Sequence, residues 1–456
     1  MNNRTNTQIL ILLFVGVLMG ALDISIVGPA IPSIEKTIMI SQKNLSWIFS
    51  VYVLFNLVGI SLMAKLSDFF GRRWIYIVSV AIFAIGSIVV ASAHDLTFLL
   101  IGRGIQGFGS SGIFPVAAAV IGDIFPVEKR GRAIGLLGAV FGIAFMMGPF
   151  IAGFILLYFN WNTLFLINIP VAALLIIFGS FLLPSKRVEE KIQFDMTGVV
   201  LLGIILAAFT VSVNNIQTAH LVDSLTTFPV LPLMLLVVIL TPILLMLENT
   251  TAVPLIDVKL FRNRQVLLVG LIAVGVGLFQ SSIVFLPKLA VTLFGVQPSR
   301  ASFMLLPVVV VTAISSPILG RLVDKIGSRI IILIGLTVAT LALFLFSIVF
   351  RNILYYYAAE GLLGFGLAIR ASLSYIMLNE SSATERASTQ AILIIFVSVG
   401  QLLGAAMIGA LTNSVNNGTV GYSYAFTVMS GIALLLVFAS GFLKSRKTEH
   451  QNQVRD

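Results

Sequence analysis

Asp23, Arg103 and Glu360 are ionisable residues set inside long apolar stretches. A charge in such surroundings is expensive, so these residues tend to pair with one another or to exchange ions. With the N-terminus inside, Asp23 lies about 15 residues into the first apolar run, ~22 Å from its inner end at the rise of a helix. Arg103 lies ~10 Å below the outer end of the fourth run by the same rise, at a similar depth. A carboxylate that meets an arginine in one arrangement and parts from it in another can take up and release a proton. A fixed structural pair is the plainer alternative. Gln280 follows Asp23, and Glu360 follows Arg103, at the same distance along the chain, so an Asp/Arg half is succeeded by a Gln/Glu half. Glu360 is a second candidate for a proton or for the counter-charge of a bound cation, unless it is simply hydrogen-bonded to Gln280. Gln280, Gln106 and the apolar pair Phe145 and Met146 are the remaining candidates for lining a cavity.

The elements that carry these residues follow from composition. The chain has 456 residues, 58% hydrophobic and 10% charged, whereas a soluble domain carries about 25% charged residues. Apolar runs recur at roughly 8–33, 44–64, 74–93, 96–122, 133–158, 162–184, 195–215, 228–247, 265–294, 301–319, 329–350, 353–378, 388–412 and 421–443, each near the length that spans a bilayer as a helix. The first run is too long for the core of a signal peptide and reads as a retained span. Most of the 28 lysines and arginines fall in alternate, inward-facing segments, which places both termini in the cytoplasm. The net charge of +10 therefore reports topology and inner-leaflet contact, and no nucleic-acid partner is expected. Cysteine is absent and the three histidines lack ligand spacing, so no metal site is expected. Gly107-Phe-Gly109 lies within a span and not after a strand, so no nucleotide is expected either.

The runs are organised as a repeat. Ala64-Lys-Leu-Ser-Asp68-Phe-Phe-Gly71-Arg72-Arg73 returns as Gly320-Arg-Leu-Val-Asp324-Lys-Ile-Gly327-Ser-Arg329, and Arg103-Gly-Ile-Gln-Gly-Phe-Gly109 as Glu360-Gly-Leu-Leu-Gly-Phe-Gly366. Two copies of a six-span unit, with the spans at 195–247 inserted between them, account for the spacing. The expected plan is a six-helix bundle over 1–184, linkers and two inserted helices over 185–264, a second bundle over 265–443 and a tail over 444–456. Duplicated membrane bundles place a substrate site between the repeats, which points to transport.

These motifs resemble the major facilitator superfamily along essentially the whole chain. Asp68, Gly71, Arg72 and Arg73, with Asp324, Gly327 and Arg329, resemble its loop signature, with Ala64 and Phe69 as departures. Leu99 to Gly112 resembles the fourth-span signature built on Arg-x-x-Gln-Gly. Gly148, Pro149 and Gly153 are similar to the antiporter signature, although Ala144 and Ala152 stand where further glycines are common. Leu22-Asp23-Ile-Ser-Ile-Val, with Phe165-Leu-Ile-Asn168-Ile-Pro170, is similar to the fourteen-span drug:proton antiporters.

The resemblance implies an all-α polytopic membrane protein of fourteen spans, not an enzyme, that alternates access around a midplane cavity. It implies proton-coupled export of amphipathic small molecules from the cell membrane by a monomer. No cofactor is expected, since the proton gradient supplies the energy, and the partners are the substrate, protons and lipids. Asp68, Arg72, Arg73, Asp324 and Arg329 would form a cytoplasmic gate around Gly71 and Gly327. Gly148 and Gly153 allow close packing, and Pro149 permits a kink. The alternatives are a transporter of one specific metabolite, sugar or lipid, and a membrane sensor that binds without moving its ligand.

Overall fold

The computed structural model describes residues 3–125, 140, 143–144, 147–184, 196–216, 221–251, 258, 263–348, 352–380, 386–413 and 418–445. Phe145, Met146, most of both linkers and most of the tail lie outside the described residues. The described elements are helices: α1 Asn3–Ile38, α2 Gln42–Phe70, α3 Arg72–Ala91, α4 Leu96–Ile124, α5 Met147–Tyr158, α6 Asn162–Leu166, α7 Asn168–Leu182, α8 Met196–Asn214, α9 Leu221–Thr226 and α10 Val230–Thr250. They continue with α11 Arg264–Phe294, α12 Pro298–Phe303, α13 Leu306–Ile326, α14 Ser328–Ser347, α15 Ile353–Leu367, α16 Arg370–Asn379, α17 Arg386–Asn413 and α18 Gly418–Ser440. Among the described residues, 11 helices are long and apolar enough to cross a membrane, and two further apolar helices, Asn44–Ile60 and Met147–Tyr158, are shorter. The chain is a multi-pass membrane protein built from helices, each of which satisfies its own backbone hydrogen bonds in hydrocarbon.

Two compact units divide the chain. One contains Met1–Ala207 with Pro298–Phe303, the other Ala208–Gln297 with Met304–Asp456. Three expected runs are interrupted. The run at 162–184 is α6 and α7 joined at Ile167, with Pro170 just inside α7. The run at 301–319 opens with α12 and restarts at α13, where a proline sits in the first turn. Ala368 and Ile369 separate α15 from α16 while keeping right-handed helical dihedrals, so that run bends and does not stop.

The sequence repeat is also a backbone repeat. Gly71 (φ 96, ψ 145) closes α2 and opens α3, and Gly327 (φ 87, ψ 154) closes α13 and opens α14. A side chain would be strained at either angle pair, so glycine lets one helix follow another with no loop between them. The Gly71 amide donates to the Ser67 carbonyl at 3.1 Å and the Gly327 amide to the Val323 carbonyl at 2.8 Å. A Cβ on Gly107 would sit 2.3 Å from the Tyr52 carbonyl oxygen, and one on Gly364 the same 2.3 Å from that of Val308. Gly109 meets Phe83 on α3 as Gly366 meets Ala339 on α14. Each unit thus packs its fourth-position helix tightly onto two neighbours through the same glycines.

The two inserted helices differ. α8 has 56% of its apolar window buried, whereas α10 has 11% and turns Leu235, Val238, Ile239 and Met246 outward.

A buried polar network in the first unit

Five helices of the first unit converge on Asp23. The Arg103 Nη1 donates to Asp23 Oδ2 at 2.6 Å, with both side chains fully buried. Gln106, one turn further along α4, donates from Nε2 to Asp23 Oδ1 at 3.0 Å and accepts from Arg103 Nη1 at 2.8 Å. Asn168 on α7 donates from Nδ2 to the same Asp23 oxygen at 3.1 Å. Both amides also donate to Ser87 Oγ on α3, at 2.8 Å from Gln106 and 3.2 Å from Asn168. The Ser87 hydroxyl in turn donates to the Phe83 carbonyl at 3.0 Å. From α2 come the Ile48 carbonyl, which accepts from Arg103 Nε at 3.2 Å, and the Tyr52 ring, 4.2 Å from the guanidinium carbon.

Local sequence explains the convergence. Gly86 precedes Ser87, and a Cβ there would lie 2.5 Å from the Gln106 amide nitrogen. The missing side chain draws α3 and α4 close enough for Ser87 to reach Gln106. Arg103 and Gln106 are three apart and share a helix face. Asp23 therefore receives three donors. A buried ion pair holds only when its remaining lone pairs are met in this way.

Glu360 sits at the repeat counterpart of Arg103 in a different setting. It is fully buried, and neither carboxyl oxygen has a hydrogen-bond partner among the described residues. Tyr356, one turn earlier, faces it but commits its hydroxyl proton to the Leu286 carbonyl at 2.9 Å. At the repeat counterparts of Gln106 and Ser87 stand Leu363 and Leu343, both buried. Gln280, the counterpart of Asp23, is half-buried on α11.

At the other candidate positions, Arg72 pairs with Asp123 at 3.2 Å and donates to Ser67 Oγ at 2.7 Å, and Arg73 donates to the Leu183 carbonyl at 2.6 Å. In the second unit Glu380, the counterpart of Asp123, pairs with Lys444 at 2.5 Å and accepts from Asn263 at 2.7 Å. Arg329 lies in the first turn of α14. Asp68 and Asp324 fall in the last turns of α2 and α13, and their side chains lie outside the described residues. Gly148 admits Ser25, whose hydroxyl donates to the Ala144 carbonyl at 3.1 Å, so α1 packs directly on α5. Gly153 admits the Phe303 ring from α12, and Pro149 is buried between these glycines. Among the described residues no cluster of His, Asp or Glu could hold a metal ion.

Ser87, Asn168 and Tyr52 are members of the network that the sequence did not single out as a site. The available signal was an amide inside an apolar run at Asn168. Ser87 and Tyr52 carry no such mark, because a serine bonded to its own helix is common in any span.

A profile of the Major Facilitator Superfamily matches residues 13–311 and 269–456. The multidrug transporter protein MdtP of Bacillus subtilis (strain 168) is 29% identical over 413 residues, covering 88% of this chain and 74% of that protein. The riboflavin transporter RibZ of Clostridioides difficile (strain 630) is 28% identical over 337 residues, covering 74% of this chain and 72% of that one. A crystal structure of a bacterial homologue of the human lysosomal transporter Spinster, inward-facing and unoccupied, superposes with a TM-score of 0.68 at 16% identity, over 97% of both chains. Repeat, helical architecture and profile agree: the chain belongs to the major facilitator superfamily, whose members are membrane transporters and not enzymes.

Proposed function

We propose that this protein is a proton-coupled secondary transporter that exports amphipathic small molecules by alternating access. The observation that carries the reading is the Asp23–Arg103 pair, fully buried at 2.6 Å inside the first repeat. Such a carboxylate has two ways to stay inside a membrane: with its arginine, or with a proton. A rearrangement that parts them exchanges one for the other, and inward movement of each positive charge gains about 2.3 kcal/mol per 100 mV. In this cycle Asp23 takes a proton from outside and yields it inside as substrate leaves. Glu360 is a second coupling or recognition group, and Gln280, Phe145 and Met146 are candidates for the cavity. Rocking of the repeats makes and breaks the cytoplasmic contacts around Gly71 and Gly327.

The topology belongs to the same proposal. The 11 long helices, Asn44–Ile60, Met147–Tyr158 and the α15–α16 run support fourteen spans, and the distribution of lysine and arginine supports cytoplasmic termini. A relative named as a multidrug transporter supports broad efflux. A relative named as a riboflavin transporter favours a second reading, a carrier for one specific metabolite. Purified protein in proteoliposomes tests both. Addition of a substrate from a panel of lipophilic cations, flavins, nucleosides, sugars and lipids should produce an internal pH change. Flux that ignores an imposed pH gradient would remove proton coupling, and flux confined to one metabolite would select the second reading.

A further inference from the structure

We propose that Tyr52 and Phe165 form an aromatic clamp that holds the Arg103 guanidinium in place while the Asp23 carboxyl is discharged, which makes both rings positioning residues for coupling. The inference rests on the proposed role of Asp23. A guanidinium has five N–H donors and cannot lose its charge. Here Nε serves the Ile48 carbonyl, Nη1 serves Asp23 and Gln106, and Nη2 has no partner among the described residues. Asp23 is the one full counter-charge in that set. Once it carries a proton, neutral oxygens are left to hold a buried cation, and an arginine held so weakly would follow the nearest water.

The rings supply what the oxygens cannot. The guanidinium carbon lies 4.2 Å from the Tyr52 ring centroid and 5.9 Å from that of Phe165, both within cation–π range. Tyr52 is 2% exposed and Phe165 fully buried, so water does not weaken the attraction. Each ring is fixed by its own support. Gly107 on α4 lies against the Tyr52 carbonyl, which pins α2 beside the arginine helix. Phe165 takes the edge of Trp161 at 6.1 Å. The Tyr52 hydroxyl approaches Ser110 without hydrogen-bond geometry, so the ring does the holding. Where the second repeat replaces the arginine by Glu360, the counterpart of Tyr52 is Val308 and that of Ile48 is Met304. The nearer ring of the clamp thus occurs only where there is a cation to hold, while the Phe165 position keeps an aromatic as Tyr422.

The test is the titration of the Asp23 carboxyl stretch in purified full-length protein, followed by infrared spectroscopy and identified as the band missing from Asp23→Asn. Tyr52→Phe keeps the ring and should leave the midpoint unchanged. Tyr52→Leu keeps the bulk but loses the ring. It should move the midpoint towards higher pH by about one unit, since a loosened arginine stabilises the carboxylate less. Phe165→Leu should give a smaller shift of the same sign, and it keeps the test open if Tyr52→Leu does not fold. Equal midpoints in wild type, Tyr52→Leu and Phe165→Leu overturn the clamp while the band still titrates as coupling requires. A wild-type band that fails to titrate at all sinks the coupling role of Asp23 and the clamp with it.

Discussion

The same backbone frame carries an arginine in one repeat and a glutamate in the other. Around Arg103 the first repeat assembles Asp23, Gln106, Ser87 and Asn168 into a network in which every carboxylate oxygen is met. Around Glu360 the second presents Leu363, Leu343 and a tyrosine whose proton is given elsewhere. The close approaches that set the helix spacing match in the two halves: a Cβ on Gly107 would lie 2.3 Å from the Tyr52 carbonyl oxygen, and one on Gly364 2.3 Å from that of Val308. Duplication therefore preserved the packing and released the polar interior to diverge. Helix spacing depends on small residues and backbone atoms, which tolerate no change, whereas an interior side chain answers only to its local partners.

The sharpest way to break this comparison is at the charges. Asp23→Asn mimics the protonated group and cannot cycle. It should abolish pH-driven uptake into inverted vesicles while leaving counterflow exchange of substrate intact, and preserved pH-driven transport would shift the coupling role to Glu360. Arg103→Ala strands the Asp23 carboxylate with two amide donors, so thermal unfolding in detergent should register a loss of about 3 kcal/mol or more.

Smaller effects sharpen the equality of the frames. Gly107→Ala and Gly364→Ala each drive a Cβ into a carbonyl oxygen, and each should cost about 1–3 kcal/mol. A large loss in one and none in the other would mean that the frames are not equivalent. Gly71→Ala and Gly327→Ala should cost about 1–3 kcal/mol for the backbone angle, again to similar extents. Glu360→Gln should cost the least, since the amide keeps the shape of a carboxyl that has no bonded partner among the described residues to lose. A marked loss of stability in Glu360→Gln would reveal a partner for it.

The frame was legible in the sequence because glycine has few substitutes. Gly71, Gly327, Gly107 and Gly364 repeat in letters and in geometry alike. The Asp23–Arg103 meeting was legible from depth alone, since counting residues along two antiparallel runs puts both at one level. The rest of the network was not. Ser87, Tyr52 and Asn168 lie in helices apolar on all sides, where no hydrophobic stripe tells the inward face from the outward one. Gln106 stood out beside Arg103 but pointed to a cavity in the sequence; in the fold its amide is committed to Asp23 and Ser87. The lack of a counterpart in either repeat did not separate the two inserted helices, since α8 is far more buried than α10.

α10 has 21 residues and is therefore about 32 Å long at the rise of a helix, close to the hydrocarbon thickness of a bilayer. Only 11% of its apolar window is buried, less than in any other long helix described, so acyl chains touch more of it than of the other spans. In a thinner membrane such a rod leans and in a thicker one it stands upright, at modest cost per ångström of mismatch. α10 is thus a gauge of membrane thickness fixed to the chain, and acyl-chain length should register there before it registers at Asp23.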